Sequence, residues 1–149
     1  MSREPLLART AYAAWYPIQT RWEDNDIYGH VNNVVHYKWF DTAVNGWMID
    51  AGLLDPEHGT SICLVVETGC RYARSVAFPQ ALEAGLRVDN LGGSSVRWRI
   101  GLFLQGEDDP VAEGQFVHVH VDRTTRKPQP FNDKWRAGLA GLILRRGTV

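Results

Sequence analysis

The pattern of side chains changes twice between residues 20 and 42, and these changes limit the folds that the chain can adopt. Alternating residues predict a strand over residues 13–22. A turn crowded with Asp, Asn, Gly and His follows over residues 23–31. From Asn32 or Asn33 onward, apolar residues recur at three- and four-residue steps, which predicts an amphipathic helix about 18–20 residues long. A strand and a long helix joined by a polar turn therefore form the centre of the expected fold.

The rest of the chain reads mainly as strands. The apolar stripe of the helix consists of Tyr37, Phe40, Val44, Trp47, Met48 and Ala51. Gly52 caps the helix, and Asp55-Pro56 stops it from continuing. After a loop over residues 54–60, period-two alternation predicts four strands that form an antiparallel meander, over residues 62–72, 82–89, 96–104 and 111–121. A short closing helix is expected over residues 132–144, capped by Asn132 or Asp133, and residues 1–12 look like a loose lead-in.

This order predicts an α+β fold in which a five- to six-stranded antiparallel sheet wraps around one long central helix. We expect residues 1–149 to form a single domain. The formal net charge of −1 gives no electrostatic reason to expect nucleic acid or an anionic membrane as a partner. No apolar run reaches the ~20 residues of a membrane span, and the N-terminus lacks the apolar stretch of a signal peptide. We therefore expect a cytoplasmic protein.

Two cysteines, Cys63 and Cys70, fall on one predicted strand. They would lie roughly 23 Å apart at ~3.3 Å per residue, too far for a disulfide. We therefore expect free, buried thiols in a reducing compartment. His118 and His120 share one face of the last strand, a spacing that suits a metal. Because the sequence suggests no third ligand nearby, we interpret them as part of a polar sheet face and expect no metal.

The candidate catalytic group is Asp26, which lies a few residues before the helix start. A helix N-terminus offers free backbone N–H groups and a partial positive charge. A carboxylate that faces such donors can attack a carbonyl or activate water while the donors hold the oxyanion. Asp41 and Glu67 are alternative bases, and we interpret Asp24 as a turn residue or surface acid.

The run WEDNDIYGHVNNVVHYKWFD, residues 22–41, resembles the signature of hotdog-fold acyl-CoA thioesterases of the 4-hydroxybenzoyl-CoA thioesterase type. In that group an Asp-x-Asp-x-x-Gly turn precedes the central helix and is often followed by His-Val-Asn-Asn. The order of strand, helix and four strands is also similar to the hotdog fold, so the resemblance covers nearly the whole chain. It implies an enzyme of fatty acid or related metabolism that hydrolyses an acyl-CoA without a cofactor.

The resemblance also assigns roles to residues. It implies that Asp26 is the catalytic general base or nucleophile and that the Asn33 backbone N–H polarises the thioester carbonyl. His30 occupies a position that holds His in many relatives, and it is a further candidate catalytic contact. The candidate substrate-binding residues are Gly29, Val31, Asn32, Val34 and Tyr37. Trp98 is a further candidate lining residue of the acyl tunnel, and the candidates for binding CoA phosphates are Arg97, Arg99, Arg123, Arg126 and Lys127.

The resemblance implies a homodimer in which two sheets join edge to edge, or a tetramer made of two such dimers, with active sites between subunits. Three other functions are compatible with the fold. An acyl-carrier-protein thioesterase is disfavoured because that group usually has Asn where this chain has Tyr28. A hotdog enoyl-CoA hydratase or dehydratase is disfavoured because no Pro follows His30. A non-catalytic acyl-binding module would not need a carboxylate at Asp26.

Overall fold

The secondary structure follows the predicted order of one strand, a long helix and four further strands. The computed structural model describes residues 4–144. Within that range the regular elements are β1 (Ala14–Gln19), α1 (Val35–Asp50), β2 (Ser61–Tyr72), β3 (Ala81–Leu91), β4 (Ser95–Leu104), β5 (Pro110–Asp122) and α2 (Asp133–Ala140). Two short 3-10 turns, Arg9–Ala11 and Trp22–Asp24, flank β1. The expected α+β class is confirmed.

The five strands of the described chain form one antiparallel sheet in the order β1-β3-β4-β5-β2. The expected meander of the last four strands is wrong in one respect, because β2 pairs with β5 and not with β3. Helix α1 lies between the two edge strands: Val35 and Trp39 line a groove with β1, and Tyr37 and Asp41 line another with β2. The sheet therefore curves around the helix, and β2 lies at the edge opposite β1.

Helix α1 begins at Val35, two or three residues later than the periodicity predicts. Asn32 causes the difference. Its Oδ1 accepts the Val34 N–H (3.0 Å) and its carbonyl accepts the Val35 N–H (2.9 Å), so residues 32–34 form a turn. The buried residues of α1 are His36, Trp39, Phe40, Ala43, Val44 and Met48. Two residues of the predicted stripe, Tyr37 and Trp47, lie half-buried beside this face.

Glycines allow the helix to approach the sheet closely. Gly114 in β5 lies beneath the Phe40 ring, and a Cβ on Gly114 would overlap that ring. Tyr16 of β1 approaches Gly46 of α1 in the same way, so a Cβ on Gly46 would overlap the Tyr16 ring. Such contacts bring α1 onto one face of the sheet, where the hydrophobic core lies.

The histidines of β5 face this core, so the expectation of a polar sheet face at His118 and His120 is wrong. Both side chains are almost completely buried. His118 lies against the rings of Trp98 and Phe116, and His120 stacks on Phe131 with ring centroids 4.7 Å apart. Burial lowers the pKa of His118 to about 4. The ring is therefore neutral at pH 7, as an apolar surrounding requires.

The opposite face of the sheet is covered by the N-terminal segment, residues 4–12, so the loose lead-in expected there is wrong. The Tyr12 ring is buried over Gly85 and Gly101, which pair with each other across β3 and β4. The Leu7 N–H donates to Glu113 Oε2 (2.8 Å). This contact could not be predicted from the sequence. The space for the Tyr12 ring exists only because strand pairing places the two glycines, which have no side chains, next to each other.

Arg99, one of the candidates for binding CoA phosphates, lies on the same face of the sheet. Arg99 donates to Asp89 Oδ2 (2.7 Å) and to Glu113, and Arg87 donates to Asp89 Oδ1 (2.9 Å). An arginine held between two carboxylates on a covered surface has its charge and its donors committed. The expectation that Arg99 is a phosphate ligand is therefore wrong.

The ends of the chain and the cysteines agree with expectation in part. Asn132 caps α2, since its Oδ1 accepts the Trp135 N–H (2.9 Å). The helix stops at Ala140, four residues earlier than predicted. Cys63 and Cys70 both lie on β2 as free thiols, as expected, but they are half-buried and not fully buried. Within residues 4–144, no helix is long and apolar enough to cross a membrane.

Candidate active site

The polar turn between β1 and α1 is held together by its own backbone. The Asp26 N–H donates to the His30 carbonyl (2.9 Å), and the Asn32 N–H donates to the Asp24 carbonyl (2.9 Å). Asn25 and Val31 form an isolated antiparallel bridge between these two pairs. Residues 24–32 therefore make a small hairpin-like loop with Asp26 and His30 near its tip. This arrangement results from local hydrogen bonds and explains the run of turn-forming residues in the sequence.

Asp26 lies half-buried within this loop. Its Oδ1 accepts the Tyr28 N–H (2.9 Å), which fixes the direction of the carboxylate. Gly29 has a φ of 83°, a left-handed conformation that favours glycine. His30 is exposed. The loop therefore presents Asp26 and His30 together at the surface.

Asp24 differs from expectation. It is buried, and its Oδ2 accepts the Arg21 N–H (2.7 Å). It is therefore a turn residue, as one of the two interpretations held, but not a surface acid. It anchors the start of the loop that carries Asp26.

Asn33 lies at the entry to α1 with its backbone N–H free. Within residues 4–144 this N–H donates to no other group, whereas its neighbours Asn32 and Val34 both donate. The Asn33 carbonyl accepts a hydrogen bond from Tyr72 Oη (2.6 Å). Tyr72 is the last residue of β2, so a residue on the far edge of the sheet fixes the helix entry in place.

A pocket of about 340 Å³ opens beside Asn33. Its lining residues are Val31, Asn33, His36, Tyr72, Ala73, Arg74, Ser75 and Val76. The Val31 N–H donates to the Val76 carbonyl (2.8 Å), which joins the two segments that form its walls. Of the expected site residues, Val31 and Asn33 meet in this pocket. Asp26 is not among the lining residues.

His36 is a lining residue that the sequence reasoning missed. It is 3 % exposed, and its ring lies 5.0 Å from that of Trp39 and 4.9 Å from that of Tyr72, measured between centroids. Burial lowers its pKa, while the nearby carbonyls of Asn32 and Asn33 act in the opposite direction. The sequence contained a signal for His36, because His36 lies one helical turn before Phe40 and therefore on the buried face of α1. A histidine on the buried face of a helix is a candidate site residue.

The remaining expected residues occupy other places. Tyr37 lines a second, mainly apolar groove of about 280 Å³ together with Lys38, Asp41, Val65, Thr68 and Phe116. Val34 is exposed, and Asn32 shapes the helix entry as described above. Trp98 is completely buried in the core, so the expectation that it lines an acyl tunnel is wrong.

The alternative bases are exposed. Asp41 Oδ1 accepts a hydrogen bond from Asn45 Nδ2 (3.0 Å) one turn along α1. Glu67 lies within 3.5 Å of Arg97 on the other face of the sheet. Neither residue lies at the pocket beside Asn33.

Comparison with known proteins assigns the family. The family model of the Thioesterase-like superfamily matches residues 20–139, which is most of the chain of 149 residues. The chain therefore belongs to the Thioesterase-like superfamily. The resemblance found in residues 22–41 and the hotdog fold are both confirmed.

Several solved structures are similar to this chain. The PA5185 protein from Pseudomonas aeruginosa strain PAO1 is 50 % identical, with a TM-score of 0.89 over 91 % of this chain and 95 % of that one. The PA2801 protein from Pseudomonas aeruginosa is 28 % identical, with a TM-score of 0.77 over 85 % of this chain and 97 % of that one. Slr0204 from Synechocystis, a 1,4-dihydroxy-2-naphthoyl-CoA thioesterase, is 16 % identical, with a TM-score of 0.76 over 85 % and 94 %. At that identity the likeness to Slr0204 concerns the fold alone.

Proposed function

We propose that this chain hydrolyses an acyl-CoA thioester to a free carboxylic acid and CoA, with Asp26 as general base or nucleophile. The observation that carries the proposal is the free N–H of Asn33, which borders the pocket at the entry to α1. A thioester carbonyl seated there would receive this hydrogen bond and the partial positive charge of the helix N-terminus. An oxyanion donor of this kind contributes about 3–4 kcal/mol to the transition state.

Asp26 can act in two ways. As general base it accepts a proton from water while the water oxygen adds to the thioester carbon. The tetrahedral oxyanion then collapses, the C–S bond breaks, and the CoA thiolate leaves and takes up a proton. As nucleophile, Asp26 adds to the carbon itself, releases the thiolate and forms a mixed anhydride that water hydrolyses. Both routes need a carboxylate oxygen that is free, and Asp26 Oδ2 accepts no hydrogen bond within residues 4–144.

The other proposed contacts follow from their positions. His30 lies next to Asp26 at the tip of the loop, where it can touch the substrate without being essential to catalysis. Gly29 keeps the loop free of a side chain, and Val31 forms part of the pocket floor. Asn32 and Val34 border the helix entry. Tyr37 lines the apolar groove along β2, which would accommodate an acyl chain.

We also propose a homodimer, alone or as half of a tetramer. Strand β2 lies at the edge of the sheet, with no strand of the described chain on its outer side. This edge is 12 residues long and exposes Val65 and Val66. Long apolar edges of this kind favour pairing with another strand. Pairing of β2 with its copy would cover the groove beside Tyr37 and place the active sites between subunits.

Asp26→Asn tests the proposal. The amide oxygen of Asn still accepts the Tyr28 N–H, so the loop should fold normally while the base or nucleophile is lost. Release of free thiol from a panel of acyl-CoA substrates is the measurement, and we expect kcat to fall by about 10²–10⁴-fold. Asp50→Asn is the matched control, because it neutralises an exposed acid at the end of α1 that lines neither the pocket nor the groove, and it should leave the rate within a factor of two.

Other results would contradict the assignment. A folded Asp26→Asn variant with near-normal turnover would overturn the role of Asp26, and a large loss in Asp41→Asn would transfer that role to the helix. Hydration of an enoyl-CoA without thiol release would identify a hydratase. Binding of acyl-CoA without hydrolysis of any member of the panel would identify a binding module.

A further inference from the structure

The pocket beside Asn33 has a buried floor and an exposed rim. The floor consists of Val31, His36 and Val76, which are 7 %, 3 % and 2 % exposed. The rim consists of exposed residues, among them Tyr72, Arg74 and Ser75. A group that enters the pocket therefore meets an imidazole between two valines. Such a floor suits a small apolar group that carries one hydrogen-bonding atom.

The polar groups on the rim are occupied or in contact with solvent. Tyr72 Oη donates to the Asn33 carbonyl (2.6 Å). Arg74 donates to the Asp109 carbonyl (3.0 Å) and lies 3.4 Å from a carboxylate oxygen of Glu107. Ser75 is exposed. The side chains of Tyr72 and Arg74 therefore have partners, and Ser75 meets solvent, so the free rim donor in the described part of the chain is the Asn33 backbone N–H.

The His36 imidazole differs from the rim. The ring lies beside the carbonyls of Asn32 and Asn33, and its Nδ1 is enclosed there without a well-aligned hydrogen bond. Its Nε2 accepts or donates no hydrogen bond within residues 4–144 and is the ring nitrogen that can reach the pocket. A buried polar atom without a partner is destabilising, and such atoms are uncommon in native proteins. Because burial lowers the pKa of His36, the ring is neutral at pH 7. A hydroxyl group can either donate to Nε2 or accept from it, so it can pair with Nε2 in either tautomer.

The distance to the proposed oxyanion donor limits where that hydroxyl lies on the substrate. Asn33 and His36 are three residues apart at the entry to α1, so they are separated by about one helical turn, ~5 Å. A thioester whose carbonyl oxygen meets the Asn33 N–H can reach His36 only with a substituent close to the carbonyl. Three carbons is about the limit of this reach.

We propose that His36 is a specificity residue that hydrogen-bonds an oxygen substituent on the acyl group, within about three carbons of the thioester carbonyl. The preferred substrates are then hydroxy- or oxo-substituted acyl-CoA thioesters, and plain alkyl chains are poor substrates. This inference rests on the proposed thioesterase function. The inference adds the class of acyl group that is preferred and names His36 as the residue that recognises this group.

The test compares one matched pair of substrates, 3-hydroxyhexanoyl-CoA and hexanoyl-CoA, which differ by one hydroxyl. The ratio of their kcat/KM values measures the preference. We expect the wild-type ratio to be about 10–100, since a buried polar group left unpaired by the alkyl substrate lowers its reactivity by that order. In His36→Phe the ratio should fall to about 1, because the ring remains and both nitrogens are lost.

His118→Phe is the matched control. His118 is also buried among aromatic rings with an unpartnered Nδ1, but it lies in the core and not at the pocket. Its substitution should leave the substrate ratio unchanged, whatever it does to stability. If His36→Phe does not fold, His36→Leu carries the same expectation, since it also removes both nitrogens.

The outcomes distinguish a failure of the inference about His36 from a failure of the proposed thioesterase function. Thiol release from both substrates with a ratio that His36→Phe or His36→Leu leaves unchanged overturns this inference alone. An equal loss for both substrates also overturns it, because the pocket then holds a part that they share. No thiol release by the wild type from any acyl-CoA overturns the proposed function, and this inference with it.

Discussion

Replacing Gly101 with alanine should destabilise the protein, because the Tyr12 ring occupies the space of the new methyl group. A Cβ at this position would lie 2.5 Å from two ring carbons of Tyr12 and 2.6 Å from its hydroxyl oxygen. Gly101 pairs with Gly85 on one side and Glu113 on the other. The strand is therefore held on both sides and cannot move away. The ring of Tyr12 has to shift instead.

The structure sets limits on the effect. If the ring adjusts within its slot, overpacking of this kind lowers the free energy of unfolding by about 1–3 kcal/mol. If the ring is expelled, its burial is lost as well, and the decrease approaches the 3–5 kcal/mol that is typical of removing a large buried aromatic side chain. The higher strand propensity of alanine offsets this loss by about 0.5–1 kcal/mol, because glycine is the less favourable residue inside a strand. The net loss is therefore up to about 2.5 kcal/mol if the ring adjusts and about 2–4.5 kcal/mol if the ring is expelled.

Urea denaturation at a fixed protein concentration measures this change. Gly69→Ala is the matched control, because Gly69 lies on the same face of the sheet and the nearest atom to its Cβ would be 3.9 Å away. That variant should stay within about 0.5 kcal/mol of the wild type. In a Tyr12→Ala background, Gly101→Ala should cause no further loss, since the clash is gone.

Two results would refute this reasoning. Gly101→Ala could prove as stable as Gly69→Ala, which would mean that the N-terminal segment does not rest on the sheet. Alternatively, the loss could be equally large with and without Tyr12. In that case the loss would arise in the strand itself and not from the ring above it.

Two further predictions concern the helix entry and the core. Tyr72→Phe removes the hydrogen bond to the Asn33 carbonyl and keeps the ring against His36. The kcat should therefore fall about 2- to 10-fold, with KM nearly constant. A higher KM at unchanged kcat would contradict the role of Tyr72 in positioning the Asn33 N–H. Protonation of His118 should destabilise the fold, because its pKa drops from 6.5 to about 4 on folding and the unfolded chain therefore binds more protons between these values. The free energy of unfolding should decrease as the pH falls from 6.5 to 4, by up to about 3 kcal/mol, and His118→Phe should show a shallower pH dependence in urea denaturation.

Local chemistry explains which predictions agree with the structure. The long helix, the polar loop before it and the cap at Asn132 depend on residues that are near one another in the chain. Side-chain periodicity and short-range hydrogen bonds therefore suffice to place them. Even so, α1 begins at Val35 and not at the predicted Asn32 or Asn33, because the Asn32 side chain competes with the helical hydrogen-bond pattern.

Contacts between distant parts of the chain explain the rest. Alternation along β5 separates His118 and His120 from the valines, but only the packing of α1 on their face makes it the inner one. No local pattern shows that β2 pairs with β5 and not with β3. Tyr12 is buried only because Gly85 and Gly101 are neighbours on adjacent strands.

For the candidate site, the sequence by itself determined that Asp26 lies in a turn just before a helix entry with free donors. It also carried the motif that identifies the superfamily. The tertiary structure alone decided that Tyr72 holds Asn33 in place and that His36 lies on the floor of the pocket. The physical reason is that the loop forms through bonds between near neighbours, whereas the pocket needs the end of β2, 39 residues away, to meet the start of α1.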